Sequence, residues 1–580
     1  MRGDDDFRVR PGRIRSRQSQ RARPFIAQAL AAAQKAGGRI SRDGSITAGR
    51  GSYFGRGRVA SLRANRFITS RSRSCTVKAL VVRHHKRQNG PLARHLNYLR
   101  REGVTRDGEK ARMFGLETDD ADVKDFAERC EDDRHHFRFI VSPEDAVEMA
   151  DLKIFARDLM GQMEKDLGTN LDWLAVDHWN TDNPHVHIIL RGKAGDGQDL
   201  VISRDYIKNG MRSRAQDLIT QELGQRTDRE IRRAFHQQIE AERWTHLDRQ
   251  LVREIDRHGI IDVAPVADRK PDEYLAVKVG RLRKLESLGL AHPIGAGQWT
   301  MVAEAEATLR ALGERGDIIK RMHRSLTEHG LDRGAADQVF AGEASEVPII
   351  GRLMERGLDD ELRASAYTIV DGIDGRTHYI RFQDLDATGD SAPGSIVELR
   401  RYENGKGRSR VALAVRSDLS IEEQVRADGA TWLDRQLVAH RPTNLGEGGF
   451  AQQVKQALEN RTQHLVEQGL ARREADRVVL ARNLIAALRA REVDALGEQL
   501  AAGTGLSFTK AAEGEQIAGT YRRRFSLASG RFAMIDDGLS FKLVPWSPAL
   551  DKHLGSHLNG VMRGGGGVDW ALGRKRGLGL

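Results

Sequence analysis

Alternation of apolar and polar residues predicts four strands within residues 76–191. The runs Thr76–Arg83 and His135–Val141 are rich in the β-branched and aromatic residues that favour strands. Asp172–His178 and His185–Arg191 follow as a pair, and the six residues between them include Asn, Asp and Pro, which favour a turn. The pattern therefore predicts a β-hairpin as part of a small sheet.

Helices are predicted beside these strands. Residues 90–102 place Leu92, Leu96 and Leu99 on one helical face. The segment Ser142–Asp145 (SPED) offers a Ser for the N-cap, a Pro for the first helical position and two acids for the first turn, so it predicts a helix that runs to about Asp166. Strands and helices together indicate an α+β fold.

The rest of the chain alternates between helical and β-rich stretches, with no evident internal repeat. An amphipathic helix over Tyr274–Leu288 precedes two short β-like runs around Gly295–Gly297, which is the order of elements in a winged helix-turn-helix. We expect helical modules and small β-barrel-like modules after the first α+β domain. The expected division is a basic disordered arm (1–75), an α+β domain (76–245), a helical region with a candidate winged helix (246–345), a β-rich module (346–425), a second helical region (426–512) and a β-rich C-terminal module (513–580).

Composition excludes several classes of protein. The 580 residues are 39% hydrophobic and 30% charged, which is enough apolar content for several cores. No apolar run reaches the roughly 18 residues of a transmembrane helix, and the N-terminus lacks the apolar segment of a signal peptide. Two cysteines, Cys75 and Cys130, are too few for a disulfide framework. We therefore expect a cytoplasmic protein without membrane insertion.

Positive charge is concentrated near the N-terminus. Residues 1–75 contain 18 Lys and Arg against four Asp, and residues 76–115 add ten basic and three acidic residues, whereas the whole chain has a net charge of only +12. Such a distribution favours a nucleic-acid partner, because each neutralised phosphate releases a counterion. A solvated tail that only keeps the protein soluble would have the same composition.

Three histidines lie around the predicted hairpin. His185 and His187 point to one face of their strand, since side chains alternate along a strand, and His178 ends the preceding strand, where the hairpin can bring it beside them. Three imidazoles on one side of a ribbon can hold a divalent metal ion and leave positions open for substrate. The alternative is a solvent-facing polar strand whose histidines bind nothing.

Tyr98 lies at the edge of the leucine stripe in residues 90–102, with Arg94, Arg100 and Arg101 nearby in sequence. A tyrosine at such an edge usually only packs against its neighbours. Next to a metal site and several arginines, however, a phenol can act as the nucleophile in phosphoryl transfer.

These features together resemble the relaxase/mobilisation nucleases of the HUH endonuclease superfamily. The resemblance rests on the upstream tyrosine, the segment HHFRFIVSPED (135–145) and the hairpin DNPHVHIIL (182–190). It is closest to VirD-type relaxases with a long C-terminal region of uncharacterised function. It covers about residues 76–200 and continues more loosely in LGERGDIIKRMHRSL and SGRFAMIDDGLSFKLVPW.

The resemblance implies an HUH relaxase domain with a central five-stranded antiparallel sheet flanked by helices. It implies that Tyr98 attacks one phosphodiester of single-stranded DNA, which leaves a 5′-phosphotyrosyl link and a free 3′-hydroxyl. His178, His185 and His187 would hold Mg²⁺ or Mn²⁺ on that phosphate. Such a site- and strand-specific nick at the transfer origin of a plasmid or integrative element starts conjugative transfer or mobilisation.

Further residues are candidates for supporting roles in this site. A carboxylate or imidazole is needed to orient the histidines or accept the tyrosine proton, and a guanidinium matches phosphate oxygens. The candidates for the first role are Asp177, Asp133 and His136, and those for DNA binding are Arg83, Arg94, Arg100 and Arg101.

The implied partners are single-stranded and supercoiled DNA at a transfer origin, relaxosome accessory proteins and a type IV secretion coupling protein, in the bacterial cytoplasm. Three alternatives stay open: a non-catalytic DNA-binding regulator, a rolling-circle replication initiator, and a metal-dependent phosphoesterase that uses water. A replication initiator is expected to carry a second tyrosine or a helicase, and no Walker-type G-x-x-x-x-G-K-[ST] segment is present.

Overall fold

The computed structural model describes most of the chain from Arg71 onward. Most of the expected basic arm lies outside the described residues. The chain divides into two compact units, Met1–Ala241 with Arg249–Thr300, and Glu242–Asp248 with Met301–Leu580. The described residues are 38–40, 46–48, 56, 71–84, 90–101, 104–179, 181, 183–264, 273–331, 333–334, 337–341, 348–403, 407, 409–441, 443–474, 477–564 and 567–571.

The first unit contains an antiparallel sheet with the strand order β3-β4-β6-β5. All four strands predicted between residues 76 and 191 are therefore present. A fifth strand, implied by the family resemblance, is reduced among the described residues to one antiparallel bridge between Phe114 and Ala175, beyond β5. The strands of this part of the chain are β1 (Gly38–Ile40), β2 (Ile46–Ala48), β3 (Cys75–Arg83), β4 (His135–Pro143), β5 (Trp173–His178) and β6 (His185–Arg191).

Helices pack against both faces of this sheet, because each face contributes apolar side chains to a buried cluster. One face presents Phe137, Phe139 and Val141 to α3 (Leu152–Leu167) and α4 (Met211–Leu223). The opposite face is covered in part by α1 (Gly90–Leu99) and α2 (Val123–Arg129). There the leucine stripe of α1 packs in one cluster with Leu174, Val176 and Ile189.

The helix predicted to begin at Pro143, after an N-cap at Ser142, begins nine residues later. Ser142 and Pro143 stay in β4, paired with Thr76 and Cys75 of β3. After a single 3-10 turn, α3 begins at Leu152, where the Asp151 carboxylate accepts a hydrogen bond of 2.6 Å from the backbone N–H of Lys153. The predicted N-cap was wrong because pairing with Thr76 and Cys75, 66 and 68 positions upstream, extends β4 through the capping sequence.

The described residues between 206 and 301 are mainly helical, as the sequence predicts. The helix and hairpin expected over Tyr274–Met301 are present, and the hairpin joins β7 in a three-stranded sheet of order β7-β9-β8. The elements are a π-helical turn (Tyr206–Gly210), α5 (Asp228–Glu240), α6 (His246–His258), β7 (Ile261–Asp262), α7 (Glu273–Ser287), β8 (Ala291–Gly295) and β9 (Gln298–Met301).

The second unit contains two six-stranded mixed sheets where the sequence predicts β-rich modules. Their strand orders are β10-β13-β12-β11-β14-β15 and β18-β21-β20-β19-β22-β23. Each order runs from one edge strand to another, so the expected closure into a β-barrel is not seen in the described residues. The strands are β10 (Gln338–Ala341), β11 (Ile350–Asp360), β12 (Ser365–Gly372), β13 (Thr377–Phe382), β14 (Ile396–Glu403), β15 (Ser409–Ser417), β16 (Ala471–Glu474), β17 (Arg477–Leu480), β18 (Ser507–Phe508), β19 (Gln516–Leu527), β20 (Gly530–Asp536), β21 (Ser540–Pro545), β22 (His557–Met562) and β23 (Val568–Trp570).

Along the chain, one helix precedes the first of these sheets and the others lie between the two sheets. None of the helices in the described ranges combines the length and apolar character that crossing a bilayer requires. Their bounds are α8 (Ala305–Glu328), α9 (Ile421–Arg426), α10 (Trp432–Leu437), α11 (Gly449–Glu467) and α12 (Leu484–Thr504).

Candidate active site

Three buried imidazoles lie together on the sheet face that α1 partly covers. His178 ends β5 and is the direct cross-strand partner of His185, which begins β6. His187 lies two residues further along β6 and therefore on the same face. The side chains are almost fully buried, and the ring centroids of His178 and His187 are 4.5 Å apart. The predicted convergence of the three histidines is present in the structure.

The spacing of the ring nitrogens suits a metal ion. One nitrogen of each ring lies within 4.8 Å of a nitrogen of both others, and Nε2 of His185 is 3.1 Å from Nε2 of His187. Two imidazole nitrogens bound at about 2.1 Å to one ion, at a right angle, would be about 3 Å apart. The three residues therefore fit the donor set of a three-histidine metal centre.

Hydrogen bonds to backbone carbonyls fix which nitrogens can bind a metal ion. A carbonyl oxygen only accepts, so Nδ1 of His185 donates to the Asn183 oxygen at 2.9 Å, and Nε2 of His178 donates to the Leu99 oxygen at 2.8 Å. The lone pairs then lie on Nε2 of His185 and Nδ1 of His178. Such carbonyl contacts are the usual way in which proteins orient metal-binding imidazoles.

The hydrogen bond from His178 to the Leu99 carbonyl also links the histidines to the helix that carries the candidate nucleophile. Leu99, whose carbonyl accepts from His178, directly follows Tyr98 at the C-terminal end of α1. The Tyr98 ring is half-buried, and the guanidinium carbon of Arg101 lies 4.6 Å from its centroid. The sequence predicted this tyrosine beside the triad, and the structure brings the end of its helix there.

The predicted DNA-binding arginines are divided between two places. Arg100 and Arg101 lie immediately after α1, where Arg100 also donates to the Asn97 side chain at 2.6 Å. Arg83 is exposed at the end of β3 and pairs with His135, near the end of the sheet away from the triad. Arg94 belongs to α1, and its side chain lies outside the described residues.

One basic residue near the triad is not among the site residues predicted from the sequence. Lys78 on β3 pairs with Ile140 on β4, which in turn pairs with His187, so Lys78 and His187 share a row and a face of the sheet. Its side chain is exposed. The register of three strands was needed to find it, because alternation alone only places it on the face of β3 opposite Val77 and Ala79.

The three residues predicted to support the histidines have other partners in the structure. The Asp177 carboxylate accepts a hydrogen bond of 2.6 Å from the indole N–H of Trp179. Buried Asp133 accepts two hydrogen bonds from the Arg191 guanidinium, at 2.8 and 3.2 Å. His136 pairs with Arg191 in the strand register, at the opposite end of β6 from His185. Their roles in catalysis stay predictions.

The Asp133 carboxylate gives a prediction about stability. Replacing Asp133 by Ala leaves the Arg191 guanidinium, three-quarters buried, without this bidentate partner, so the free energy of unfolding should fall by about 2–4 kcal/mol. Exposed Asp132 is the matched control, and its replacement by Ala should cost less than about 0.5 kcal/mol. Urea unfolding measures both. Equal effects of the two substitutions would contradict a stabilising role of the pair.

A chain of hydrogen bonds fixes the protonation of His136. Nε of Arg138 only donates, so it donates to Nε2 of His136 at 3.0 Å, and Nδ1 of His136 must then donate to Nε2 of His84 at 2.6 Å. Burial, together with the positive charge of Arg138, lowers the pKa of His136 to about 2. Burial also lowers the pKa of Arg138 to about 10. His136 is therefore neutral in the folded protein.

Neutral His136 predicts that acid destabilises the fold. Its pKa is about 2 in the folded chain, against about 6.5 when unfolded, so between these values the unfolded chain binds an extra proton. The free energy of unfolding should fall as the pH drops below 6.5, by up to about 1.4 kcal/mol per pH unit from this residue. Urea unfolding at pH 7, 6 and 5 measures the slope. His136→Gln should flatten it, exposed His258→Gln should not, and equal slopes in all three proteins would contradict the prediction.

Comparisons with known proteins agree with this site. Residues 114–224, which include all three histidines, match the family model described as MobA/VirD2-like relaxase, nuclease domain. Tyr98 lies upstream of the matched segment. Residues 278–406 and 399–579 match a second family model, Protein of unknown function (DUF3363). No curated protein and no solved structure matches the chain significantly.

Proposed function

We propose that this chain, which carries a MobA/VirD2-like relaxase nuclease domain of the HUH-type superfamily, is a site-specific DNA-nicking transesterase that starts plasmid or element mobilisation. The chain also belongs to the DUF3363 family. The observation that best supports the proposal is the hydrogen bond from His178 to the carbonyl of Leu99, because it fixes the residue after Tyr98 against the triad. A nucleophile and a phosphate-polarising centre must be adjacent for in-line attack.

We propose that His178, His185 and His187 hold Mg²⁺ or Mn²⁺. A divalent ion bound there would supply Lewis-acid stabilisation to the non-bridging oxygens of the scissile phosphate. Neutral imidazoles accept several divalent metals, so the donor set alone does not select between these ions.

In the proposed reaction, the Tyr98 oxygen attacks the phosphorus of one phosphodiester in single-stranded DNA. The bond between phosphorus and the 3′-oxygen breaks, the phenol loses its proton, and the departing 3′-oxygen gains one. The products are a 5′-phosphotyrosyl protein and a free 3′-hydroxyl. Since one ester bond replaces another, a 3′-hydroxyl can later reverse the step and rejoin a strand.

The basic residues around Tyr98 have proposed roles in binding the strand. Arg100 and Arg101, directly after α1, would contact phosphates on either side of the cleaved bond. Exposed Lys78, in the row of His187, would contact a further phosphate as a point charge. Relaxosome accessory proteins and a type IV coupling protein are the proposed partners of the remaining chain, in the bacterial cytoplasm.

Covalent capture tests this function. The full chain is incubated with Mn²⁺ and heat-melted DNA fragments from its own genetic element, denatured in detergent, and examined for protein that carries DNA. The proposal predicts adducts whose ends map to one sequence and that are lost with a chelator. Nicked DNA without attached protein would instead indicate hydrolysis by water, and binding without cleavage would indicate a DNA-binding regulator.

A further inference from the structure

Two segments of the chain are copies of one module, contrary to the expectation of no internal repeat. The segment THLDRQLV at residues 245–252 recurs as TWLDRQLV at 431–438. The segment LESLGLA at 285–291 recurs as LVEQGLA at 465–471. Loops of different length separate the paired segments in the two copies, which hides the repeat from any search at one fixed spacing.

The same local structure accompanies both copies. Thr245 and Asp248 cap α6 through hydrogen bonds of 2.7 Å from the threonine N–H and hydroxyl to the carboxylate, and Thr431 and Asp434 cap α10 in the same way at 2.8 and 2.9 Å. In each copy a left-handed glycine, Gly289 or Gly469, lies two residues beyond the end of a helix and precedes a two-stranded hairpin. A long helix follows each hairpin.

A buried arginine confirms that the copies are equivalent. Arg281 and Arg461 are both fully buried, ten positions before the alanine that begins the hairpin. Arg281 donates to the carbonyls of Ile239 and Ala241, and Arg461 donates to those of Val425 and Ala427. These carbonyls are 186 positions apart, the same separation as the two T-x-L-D-R-Q-L-V segments.

The second copy presents a polar helix and a basic hairpin. The exposed side of α11 carries amide side chains together with Glu459 and Glu467. The hairpin β16–β17 exposes three arginines, of which Arg473 donates to Gln463 of α11 at 3.2 Å and Arg472 pairs with Glu474. The amides are Gln452, Gln456, Asn460 and Gln463, and the arginines are Arg472, Arg473 and Arg477.

The hairpin of the first copy is different, because its exposed residues include His292, Pro293 and Ile294 and no arginine. The copies therefore share a framework and differ in surface chemistry. Amide side chains on a helix pair with adenine in the major groove, and arginines on a hairpin beside it match the phosphates that border the groove.

We propose that α11 and the hairpin β16–β17 bind duplex DNA, at a surface separate from the site that nicks a single strand. The helix enters the major groove with its amide face, and the three hairpin arginines contact phosphates. The chain thereby binds duplex DNA as well as the single strand that it cleaves.

Salt dependence of duplex binding tests this proposal. The probe is a fluorescently labelled 30-base-pair duplex of random sequence, bound to the full chain at several salt concentrations. Replacing Arg472, Arg473 and Arg477 by Ala removes up to three phosphate contacts, so the slope of log affinity against log salt should fall in magnitude by about 2 to 3, and affinity should fall roughly tenfold or more. Replacing all three by Lys keeps the charge and should restore most of the slope.

Three exposed arginines outside the module provide the matched control. Arg363, Arg401 and Arg563 replaced by Ala remove the same charge and should leave the slope within about 0.5 of wild type. Covalent capture of single strands should be unchanged in the hairpin variant. An unchanged slope in that variant, or an equal loss in the control, would overturn the proposal without affecting the nicking site.

Discussion

Replacing Tyr98 by Phe should abolish covalent attachment of the protein to DNA and lower strand cleavage by at least about 10³-fold. The substitution removes only the attacking oxygen, and loss of a nucleophile costs this much or more in enzymes that use one. The ring remains under the Arg101 guanidinium, so the fold and single-strand binding should be preserved. Denaturing gels with a labelled strand measure cleavage and attachment in one experiment.

The matched control for this substitution is Tyr402→Phe. Tyr402 is an exposed tyrosine on β14, and its loss of a hydroxyl should leave both cleavage and attachment unchanged. A Tyr98→Phe protein that still cuts DNA at the wild-type rate and leaves free ends would show that water, not the phenol, is the nucleophile.

Replacing His185 or His187 by Ala should weaken Mn²⁺ binding by about 100-fold or more and lower nicking in parallel. Loss of a group that only orients a metal ligand already costs about 10 to 100-fold in metal affinity, so loss of a ligand should cost at least the upper value. The two Nε2 atoms lie 3.1 Å apart, so both bonds would be directed at one ion. Isothermal titration calorimetry measures the affinity without any need for cleavage.

Exposed His258→Ala provides the control for metal binding and should leave Mn²⁺ affinity unchanged. Because the triad is buried, thermal unfolding of each variant separates a lost ligand from a lost fold. A folded His187→Ala protein that binds Mn²⁺ like wild type would contradict the assignment of the metal centre.

Local periodicity was sufficient to predict the histidine cluster. Alternation along β6 forces His185 and His187 onto one face, and the short hairpin allows few registers, one of which pairs His178 with His185. The leucine stripe of α1 likewise predicted which side of that helix would be buried, and with it the edge position of Tyr98.

Features that depend on distant pairing could not be predicted in this way. The capping sequence at Ser142 does not start a helix, because its residues pair with β3. The partner of Asp133 is an arginine 58 positions away, which only the sheet register brings near. The register of the same sheet places Lys78 in the row of His187. The duplicated module was hidden because its framework residues are few and its loops differ in length.

The most direct measurement is identification of the residue that carries DNA. Adducts from covalent capture are digested with nuclease and trypsin, and the remaining peptide is sequenced by mass spectrometry. A nucleotide attached through its 5′-phosphate to Tyr98 is the predicted result. A nucleotide on another residue, or cleavage with no modified peptide, would contradict the proposed reaction.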